Sequence, residues 1–317
     1  MLTLADLKSA ADLVHRVVTP TPAIAWPLLG ERVGAEVWVK HENHTPIGAF
    51  KVRGGLVYMA DLKRREPDIS GVIAATRGNH GQSVALAARR NGIPATIVVP
   101  HGNSREKNAA MHALGATLVE HGHDFQAALE HAQVLAQERD LHMMPSFHPL
   151  LAAGVASYGL ELFRAVPDLD AVYVPIGLGS GICGTIAARD ALGLKTKIVG
   201  VVAAEAPAYA LSFNAREPIS TNSADTLADG LACRVPNAEA LSVILKGAER
   251  IVTVSEDEIR AAIRHLYTDT HNLAEGAGAA ALAGLLQERQ RMEGRRVAVI
   301  QSGANIDREL FLQILAA

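Results

Sequence analysis

The sequence predicts an α/β fold in which parallel sheets are covered by helices. From Gly71 onward, short β-branched runs alternate with longer helical patterns, beginning GVIAAT, QSVALAARRNG and ATIVVP, and this rhythm is typical of βαβ units. The runs are continuously apolar, as expected of strands that are buried on both faces. Gly92, Gly115 and Gly193 each follow a helical pattern, at the position where a helix C-terminal cap favours glycine.

Composition and charge exclude several classes of protein. The chain of 317 residues predicts one large domain or two closely associated ones. A net charge of -3 gives no basic footprint for nucleic acid, and Cys183 and Cys233 are too few for a disulfide framework. Asp6 and Asp12 interrupt the N-terminal apolar pattern, and no apolar run approaches the roughly 18 residues that span a bilayer. We therefore expect a cytoplasmic protein that binds a small molecule, with no nucleic acid or membrane partner.

One lysine lies in an unusual place. In HTPIGAFKVRGG, Lys51 follows Ala49 and Phe50 in a largely apolar turn bounded by glycines. It heads the segment KVRGGLVYMADLKRR, whose pattern predicts a helix. A lysine that serves solubility usually has charged neighbours, so this placement indicates a chemical role.

A glycine loop, PIGLGSGICG at 175–184, lies between a predicted strand and a predicted helix. Such a loop exposes backbone N–H groups and a helix N-terminus, which together bind phosphate. Gly179, Gly181 and Gly184 satisfy G-x-G-x-x-G, and Glu205 follows the next strand, so an NAD-dependent dehydrogenase is one interpretation. Another is that these glycines only permit close packing of a helix on the sheet. Both leave Lys51 without a role.

A second loop, TRGNHG at 76–81, lies between the strand GVIAA and the helix QSVALAARR. Asn79 and His80 are therefore expected at a helix N-terminus, which favours an anionic ligand. His80 has a plain alternative as a capping or packing histidine. Arg77 is well placed to bind a carboxylate or phosphate through two parallel hydrogen bonds.

Four motifs occur in a fixed order: the lysine after Phe50, the G-N-H loop, the glycine loop, and a late S-G-x-N that begins at Ser302. In this order the chain resembles the fold type II pyridoxal-phosphate enzymes, which have the two-lobed fold of the tryptophan synthase β chain. It is most similar to the serine/threonine dehydratase and serine racemase family. The resemblance implies parallel-rich sheets flanked by helices, with the cofactor in the cleft between the lobes. It also implies a homodimer, a large cofactor-binding domain of residues 1–68 and 152–317, and a small substrate-side domain of residues 69–151.

The resemblance assigns site residues by position. It places the covalent link to pyridoxal 5'-phosphate on Lys51, with Phe50 against the ring. Thr76, Gly78 and His80 would surround the substrate α-carboxylate, with Arg77 beside them. The remaining cofactor contacts would be Asn79 at the phenolic oxygen, Gly177, Leu178, Gly179, Ser180 and Gly181 at the phosphate, Glu275 near the ring and Ser302 at the pyridine nitrogen.

The activity implied by the resemblance is that of an ammonia-lyase of the threonine/serine dehydratase type. It would eliminate water from a β-hydroxy-α-amino acid, by default L-threonine or L-serine, and release a 2-oxo acid and ammonia. In an apolar, cationic neighbourhood the charged form of Lys51 is disfavoured, which suits both covalent attachment and proton abstraction. A serine at the pyridine nitrogen does not hold that nitrogen protonated, so Ser302 favours elimination over transamination. A ligand-binding relative without catalysis is a further alternative.

Two departures from the family pattern bear on the predicted activity and on metal binding. Arg77 replaces a serine that serves the opposite face of the substrate in racemases, and a guanidinium is a poor general base, so weak or absent racemase activity is expected. Arg77 could instead bind a second carboxylate, as in β-hydroxyaspartate, or another polar side chain; otherwise it faces outward or bonds within its own loop. Leu211 occupies the position of a second carboxylate in the racemase metal site, although Glu205 matches the first, so no metal is predicted.

Overall fold

The computed structural model describes residues 2–316, whose strands form two sheets. The strands are Ala23–Ala25 (β1), Glu36–His41 (β2), Val72–Ala75 (β3), Ala95–Val99 (β4), Thr117–Glu120 (β5), His142–Met143 (β6), Ala171–Pro175 (β7), Lys197–Ala203 (β8), Arg250–Val254 (β9) and Arg296–Gln301 (β10). The larger sheet has the order β1-β2-β10-β7-β8-β9, and its pairs are parallel except β1 with β2. The smaller sheet has the order β5-β4-β3-β6 and is parallel throughout.

Helices cover both sheets, which confirms the predicted α/β class. Every residue of β3 and β7 is buried, as their continuously apolar sequences require. The helices are Leu4–His15 (α1), Pro27–Val33 (α2), Lys51–Arg65 (α3), Asn79–Arg90 (α4), Arg105–Ala113 (α5), Phe125–Glu138 (α6), Pro149–Ala165 (α7), Ser180–Ala191 (α8), Ala208–Ala215 (α9), Ala238–Gly247 (α10), Glu256–Thr270 (α11), Gly276–Gln287 (α12), Arg289–Met292 (α13) and Arg308–Ala316 (α14), with a 3-10 turn at Asp229–Leu231.

Local sequence signals explain several helix ends. Helix α1 begins with a capping box, in which Thr3 and Asp6 bond each other's backbone N–H groups. The three predicted cap glycines all follow helices and have positive φ, at 66°, 95° and 67° for Gly92, Gly115 and Gly193. Among residues 2–316, no helix is both long and apolar enough to cross a membrane.

The smaller sheet is built wholly from residues between 72 and 143, whereas both ends of the chain contribute to the larger one. The domain boundaries after residues 68 and 151 stay a prediction, as does the homodimer. Two helices link the parts, because α3 leads from the larger sheet to the smaller one and α7 leads back. These two helices pack directly against each other.

The crossing of α3 and α7 depends on two glycines. A Cβ at Gly154 would lie 2.3 Å from the carbonyl oxygen of Arg53, and one at Gly54 would lie 2.7 Å from that of Leu151. Because the obstructing atoms are backbone, the two helices could not keep this distance with larger residues. Gly184 has a similar contact in α8, where a Cβ would lie 2.8 Å from the backbone nitrogen of Ala156. Gly184 therefore permits close packing of α8 on another helix, α7, whereas the sequence predicted packing of a helix on the sheet.

A buried ion network fixes the first turn of α3. The Arg53 side chain has no exposed surface, and it donates to Glu42 Oε2 and Glu161 Oε1, both at 2.6 Å. Lys40 also donates to Glu161, so two cations balance two carboxylates. Burial alone would raise the pKa of Glu161, but Arg53 and Lys40 outweigh it and lower that pKa to about 2. The network joins α3 to the end of β2 and to α7.

Replacing Arg53 by Met should strongly destabilise the protein, because Glu42 and Glu161 then lose a cation in a buried site. We expect the free energy of unfolding to fall by about 3–5 kcal/mol, measured by urea denaturation with circular dichroism. Arg64→Met is the matched control, because the Arg64 side chain is 72% exposed although it pairs with Asp61 in the same helix. The control should cost less than about 1 kcal/mol; equal losses in the two variants would contradict the structural role of the network.

Candidate active site

The turn before Lys51 is joined to the loop that follows β10. Ala49 and Gly303 form an antiparallel bridge, and the N–H of Phe50 donates to the carbonyl oxygen of Ser302 at 3.1 Å. The N–H of Ala304 donates to the carbonyl oxygen of Gly48 at 2.9 Å. Backbone hydrogen bonds therefore join the turn before Lys51 to the S-G-x-N loop that begins at Ser302.

Lys51 begins α3 and lies in an apolar setting. Its Nζ is 4.9 Å from the centroid of the Phe50 ring. Burial lowers the pKa of Lys51 to about 8, and the carboxylate of Glu275 opposes this shift. The predicted cationic neighbourhood is therefore wrong: burial disfavours the ammonium form, and the charge that acts on it is an anion. Near pH 8 about half of the Lys51 side chains are neutral amines.

The glycine loop lies beside the same phenyl ring. A Cβ at Gly181 would lie 3.6 Å from Phe50 Cζ. Gly179 caps α8 and has a φ of 101°. The first hydrogen bond of the helix runs from the N–H of Cys183 to the carbonyl oxygen of Gly179 at 3.0 Å. The N–H groups of Ser180, Gly181 and Ile182 therefore have no partner within the helix and are available to an anion.

Contacts with Tyr209 and with the 3-10 turn hold the glycine loop in position. The hydroxyl of Tyr209 donates to the carbonyl oxygen of Leu178 at 3.1 Å. Gly177 lies against the 3-10 turn, where a Cβ would be 2.0 Å from the carbonyl oxygen of Gly230. A loop positioned on both sides in this way can present its N–H groups to a phosphate with little rearrangement.

The TRGNHG loop connects β3 to α4, as predicted. Gly78 donates its N–H to Thr76 Oγ1 at 3.1 Å. Asn79 begins α4 and is held at both ends of its amide: Nδ2 donates to Glu275 Oε1 at 2.6 Å, and Oδ1 accepts from Asn305 at 2.7 Å. Asn305 also donates to the carbonyl oxygen of Ile47 at 2.8 Å. The amide of Asn79 therefore links the start of α4 to the cap of α12 and to the loop after β10.

His80 is a half-buried, neutral side chain whose Nε2 atom is buried. Burial lowers its pKa to about 3, and the charge of Lys51 adds to the effect. Its Nε2 has no hydrogen-bond partner within residues 2–316. The helix cap is Gly78, so the capping alternative for His80 is wrong. A buried imidazole nitrogen that lacks a partner is ready to receive a polar ligand group.

Arg77 reaches across the cleft to a residue that sequence reasoning missed. Its guanidinium lies 3.7 Å from Asp229 Oδ1, so the side chain is bonded outside its own loop. Lys107, also missed, lies 3.2 Å from Asp229 Oδ2 and 3.8 Å from Glu275 Oε2. Neither residue belongs to a motif, and only the fold brings these charges together. A cavity of about 110 Å³ is lined by Lys107, Asp229, Glu275, Asn305 and their neighbours.

Glu275 and Ser302 meet at the start of α12. Burial raises the pKa of Glu275, while Lys107 and the amide of Asn79 oppose that shift. Ser302 is buried, and its hydroxyl donates to the carbonyl oxygen of Ala277 at 3.2 Å. Both side chains thus lie next to the turn that carries Lys51, where the resemblance expects the cofactor ring.

Other candidate residues lie away from these contacts. Glu205 and Leu211 are exposed, and residues 2–316 contain no group of three or more His, Cys, Asp or Glu side chains arranged to hold a metal. Cys183 and Cys233 are buried free thiols. Burial raises their pKa values to about 12 and about 11, so both thiols are protonated at neutral pH.

The residues present fit pyridoxal phosphate. Lys51 supplies an amine of lowered pKa, the start of α8 supplies N–H groups for a phosphate, and His80 supplies an unpaired buried nitrogen. Together with two parallel-rich sheets, these features define a fold type II pyridoxal-phosphate enzyme. The profile of the family described as "Pyridoxal-phosphate dependent enzyme" matches residues 14–303.

Similarity to known proteins shows which family within this class the chain belongs to. The L-threonine ammonia-lyase of Thermotoga maritima is 34% identical over 99% of this chain and 78% of that protein. The biosynthetic L-threonine dehydratase of Haemophilus influenzae is 32% identical over 93% of this chain, which spans 58% of that relative's length. A solved pyridoxal 5'-phosphate-dependent aspartate racemase is 28% identical with a TM-score of 0.92, covering 97% of each chain. The chain belongs to the threonine dehydratase and serine racemase family of pyridoxal-phosphate enzymes, and the dehydrogenase interpretation is wrong.

The reactivity of Lys51 should follow its lowered pKa. We expect acetic anhydride to acetylate Lys51 of the cofactor-free protein at a rate that rises with pH around a midpoint near 8, because only the neutral amine reacts. Mass spectrometry of a digest gives the rate, and the exposed Lys8 corrects for reagent decay. A midpoint near the ordinary lysine value of about 10.4 would contradict this environment.

Proposed function

We propose that the protein is a pyridoxal-phosphate-dependent dehydratase that converts a β-hydroxy-α-amino acid to a 2-oxo acid and ammonia, with L-threonine and L-serine as default substrates. The observation that carries the proposal is the Lys51 amine of lowered pKa, held beside Ser302 by backbone pairing. The two curated relatives named above are described as enzymes of L-threonine.

The cofactor, when bound, supplies the electron sink for the reaction. In this proposal Lys51 would hold the cofactor covalently and, once the amino group of the substrate has taken its place and freed the amine, would take the α-proton of the substrate as general base. A pKa near 8 suits this task, because a base works best when its pKa lies near the working pH. Phe50 would pack against the cofactor ring, and the backbone N–H groups of residues 177–181 would hold its phosphate.

The start of α4 binds the α-carboxylate in this proposal. Thr76, Gly78 and His80 lie where the helix N-terminus presents N–H groups and a favourable dipole. His80 is neutral, so it contributes a hydrogen bond rather than a charge. Asn79 would hold the phenolic oxygen of the cofactor, and its bonds to Glu275 and Asn305 fix the direction of its amide in advance.

Ser302 favours loss of the β-hydroxyl. A serine hydroxyl at the pyridine nitrogen does not keep that nitrogen protonated, whereas a carboxylate would. Negative charge at the α-carbon is then less stabilised, so prompt elimination is favoured over transamination. The products balance: water leaves from the α and β carbons, and water then hydrolyses the resulting imine to the 2-oxo acid and ammonia.

Release of 2-oxo acid across a panel of β-hydroxy amino acids tests the proposal. The purified protein with pyridoxal phosphate should be active on at least one member, and Lys51→Ala should lower kcat by at least about a hundredfold, since general acid–base catalysis alone contributes that much. Borohydride should add the mass of the cofactor at Lys51. Lys63→Ala, at a half-buried lysine in the last turn of the same helix, is the control. An active Lys51→Ala variant, or binding of a nicotinamide dinucleotide in place of pyridoxal phosphate, would overturn the proposal.

Racemase activity should be weak or absent, because the guanidinium of Arg77 is a poor general base for exchange of the α-proton on the opposite face. Incubation of L-serine in D₂O followed by chiral chromatography measures inversion directly. Arg77→Ser restores a hydroxyl at this position and should increase D-serine formation. Fast inversion by the unmodified protein would contradict the assignment of Arg77.

A further inference from the structure

The ion pair between Arg77 and Asp229 has a geometry that lets another carboxylate replace Asp229. The two side chains approach to only 3.7 Å, and they are 49% and 35% exposed. A long, half-exposed pair of this kind contributes little stability and is screened by solvent. A guanidinium carries five N–H donors and binds a carboxylate best through two parallel hydrogen bonds. A ligand carboxylate with better geometry can therefore replace Asp229.

Asp229 keeps a counter-ion when Arg77 leaves it. Lys107 lies 3.2 Å away on its other carboxylate oxygen, and the Lys107 side chain is only 9% exposed. Burial lowers the pKa of Lys107, but Glu275 and Asp229 outweigh it and raise that pKa, so the ammonium stays charged. Release of Arg77 therefore does not leave an uncompensated carboxylate in the cleft.

The position of Arg77 fits a ligand with two carboxylates. It lies between Thr76 and Gly78, which flank the proposed α-carboxylate position at the start of α4. We infer that Arg77 exchanges Asp229 for the second carboxylate of a dicarboxylic β-hydroxy amino acid such as β-hydroxyaspartate. This inference rests on the proposed function and names its substrate class. Asp229 then acts as an internal competitor that occupies Arg77 in the absence of substrate.

If Asp229 and a ligand carboxylate compete for Arg77, substitutions of Arg77 and of Asp229 should change the substrate preference in opposite directions. The measured quantity is the ratio of kcat/KM for β-hydroxyaspartate to kcat/KM for L-threonine, with the protein fully loaded with pyridoxal phosphate. Arg77→Ser should lower this ratio by about tenfold or more, because it removes a charge-assisted bidentate contact. Asp229→Asn should raise the ratio by about threefold or more, because it removes the competing charge. The double variant should behave like Arg77→Ser.

Two controls separate this role from a structural one. Arg89→Ser removes an exposed arginine at the other end of α4, and it should leave the ratio within about twofold of the unmodified protein. A purely structural ion pair would make both single substitutions change the ratio in the same direction. That result, or a ratio that Arg77→Ser does not change, overturns the inference.

Binding measurements distinguish failure of this inference from failure of the proposed function. If no 2-oxo acid forms from either substrate, the proposed function fails, and calorimetry of the loaded protein with succinate and butyrate takes the place of kinetics. Arg77→Ser should then abolish the preference for succinate, and Asp229→Asn should increase it. Equal binding of the two acids by all variants would overturn the second-carboxylate site.

Discussion

The site depends on the backbone pairing of the turn before Lys51 with the loop after β10. This pairing brings together the amine of Lys51, the buried hydroxyl of Ser302 and the carboxylate of Glu275. The elements that carry them are far apart in the chain. It needs close approach, since a Cβ at Gly303 would lie 2.4 Å from Glu275 Oε1. The backbone position of Lys51 therefore depends on the hydrogen bonds that Gly48 and Phe50 make with the loop after β10.

A chain of polar contacts extends from this pairing across the cleft. It runs from Arg77 through Asp229, Lys107 and Glu275 to Asn79. The four charged members alternate in sign, which lowers the cost of burying Lys107 and Glu275. Its members come from the smaller sheet's loops and from the larger sheet's side in turn. Motion of one part relative to the other must therefore change the electrostatic surroundings of Glu275, and through it those of Lys51.

The sequence predicted what local physics determines. The helix from Lys51 to Arg65, the strand-to-helix position of both ligand loops, and the three glycine caps follow from periodicity and turn chemistry. The positions of Lys107 and Asp229 could not be predicted, because ordinary charged residues in ordinary segments carry no signal until the fold brings them together. The mistaken cationic neighbourhood of Lys51 has the same origin, since Glu275 approaches it only through tertiary structure.

The glycine contact between α3 and α7 has a consequence for the mutational history of such a chain. Backbone meets backbone at Gly54 and Gly154, so even one added methyl group would force the helices apart. Lys51 lies at the head of one of these helices, three residues from the contact. A substitution at Gly54 or Gly154 could thus inactivate the protein although neither glycine has a reactive side chain. The loss of catalysis would come from displacement of Lys51.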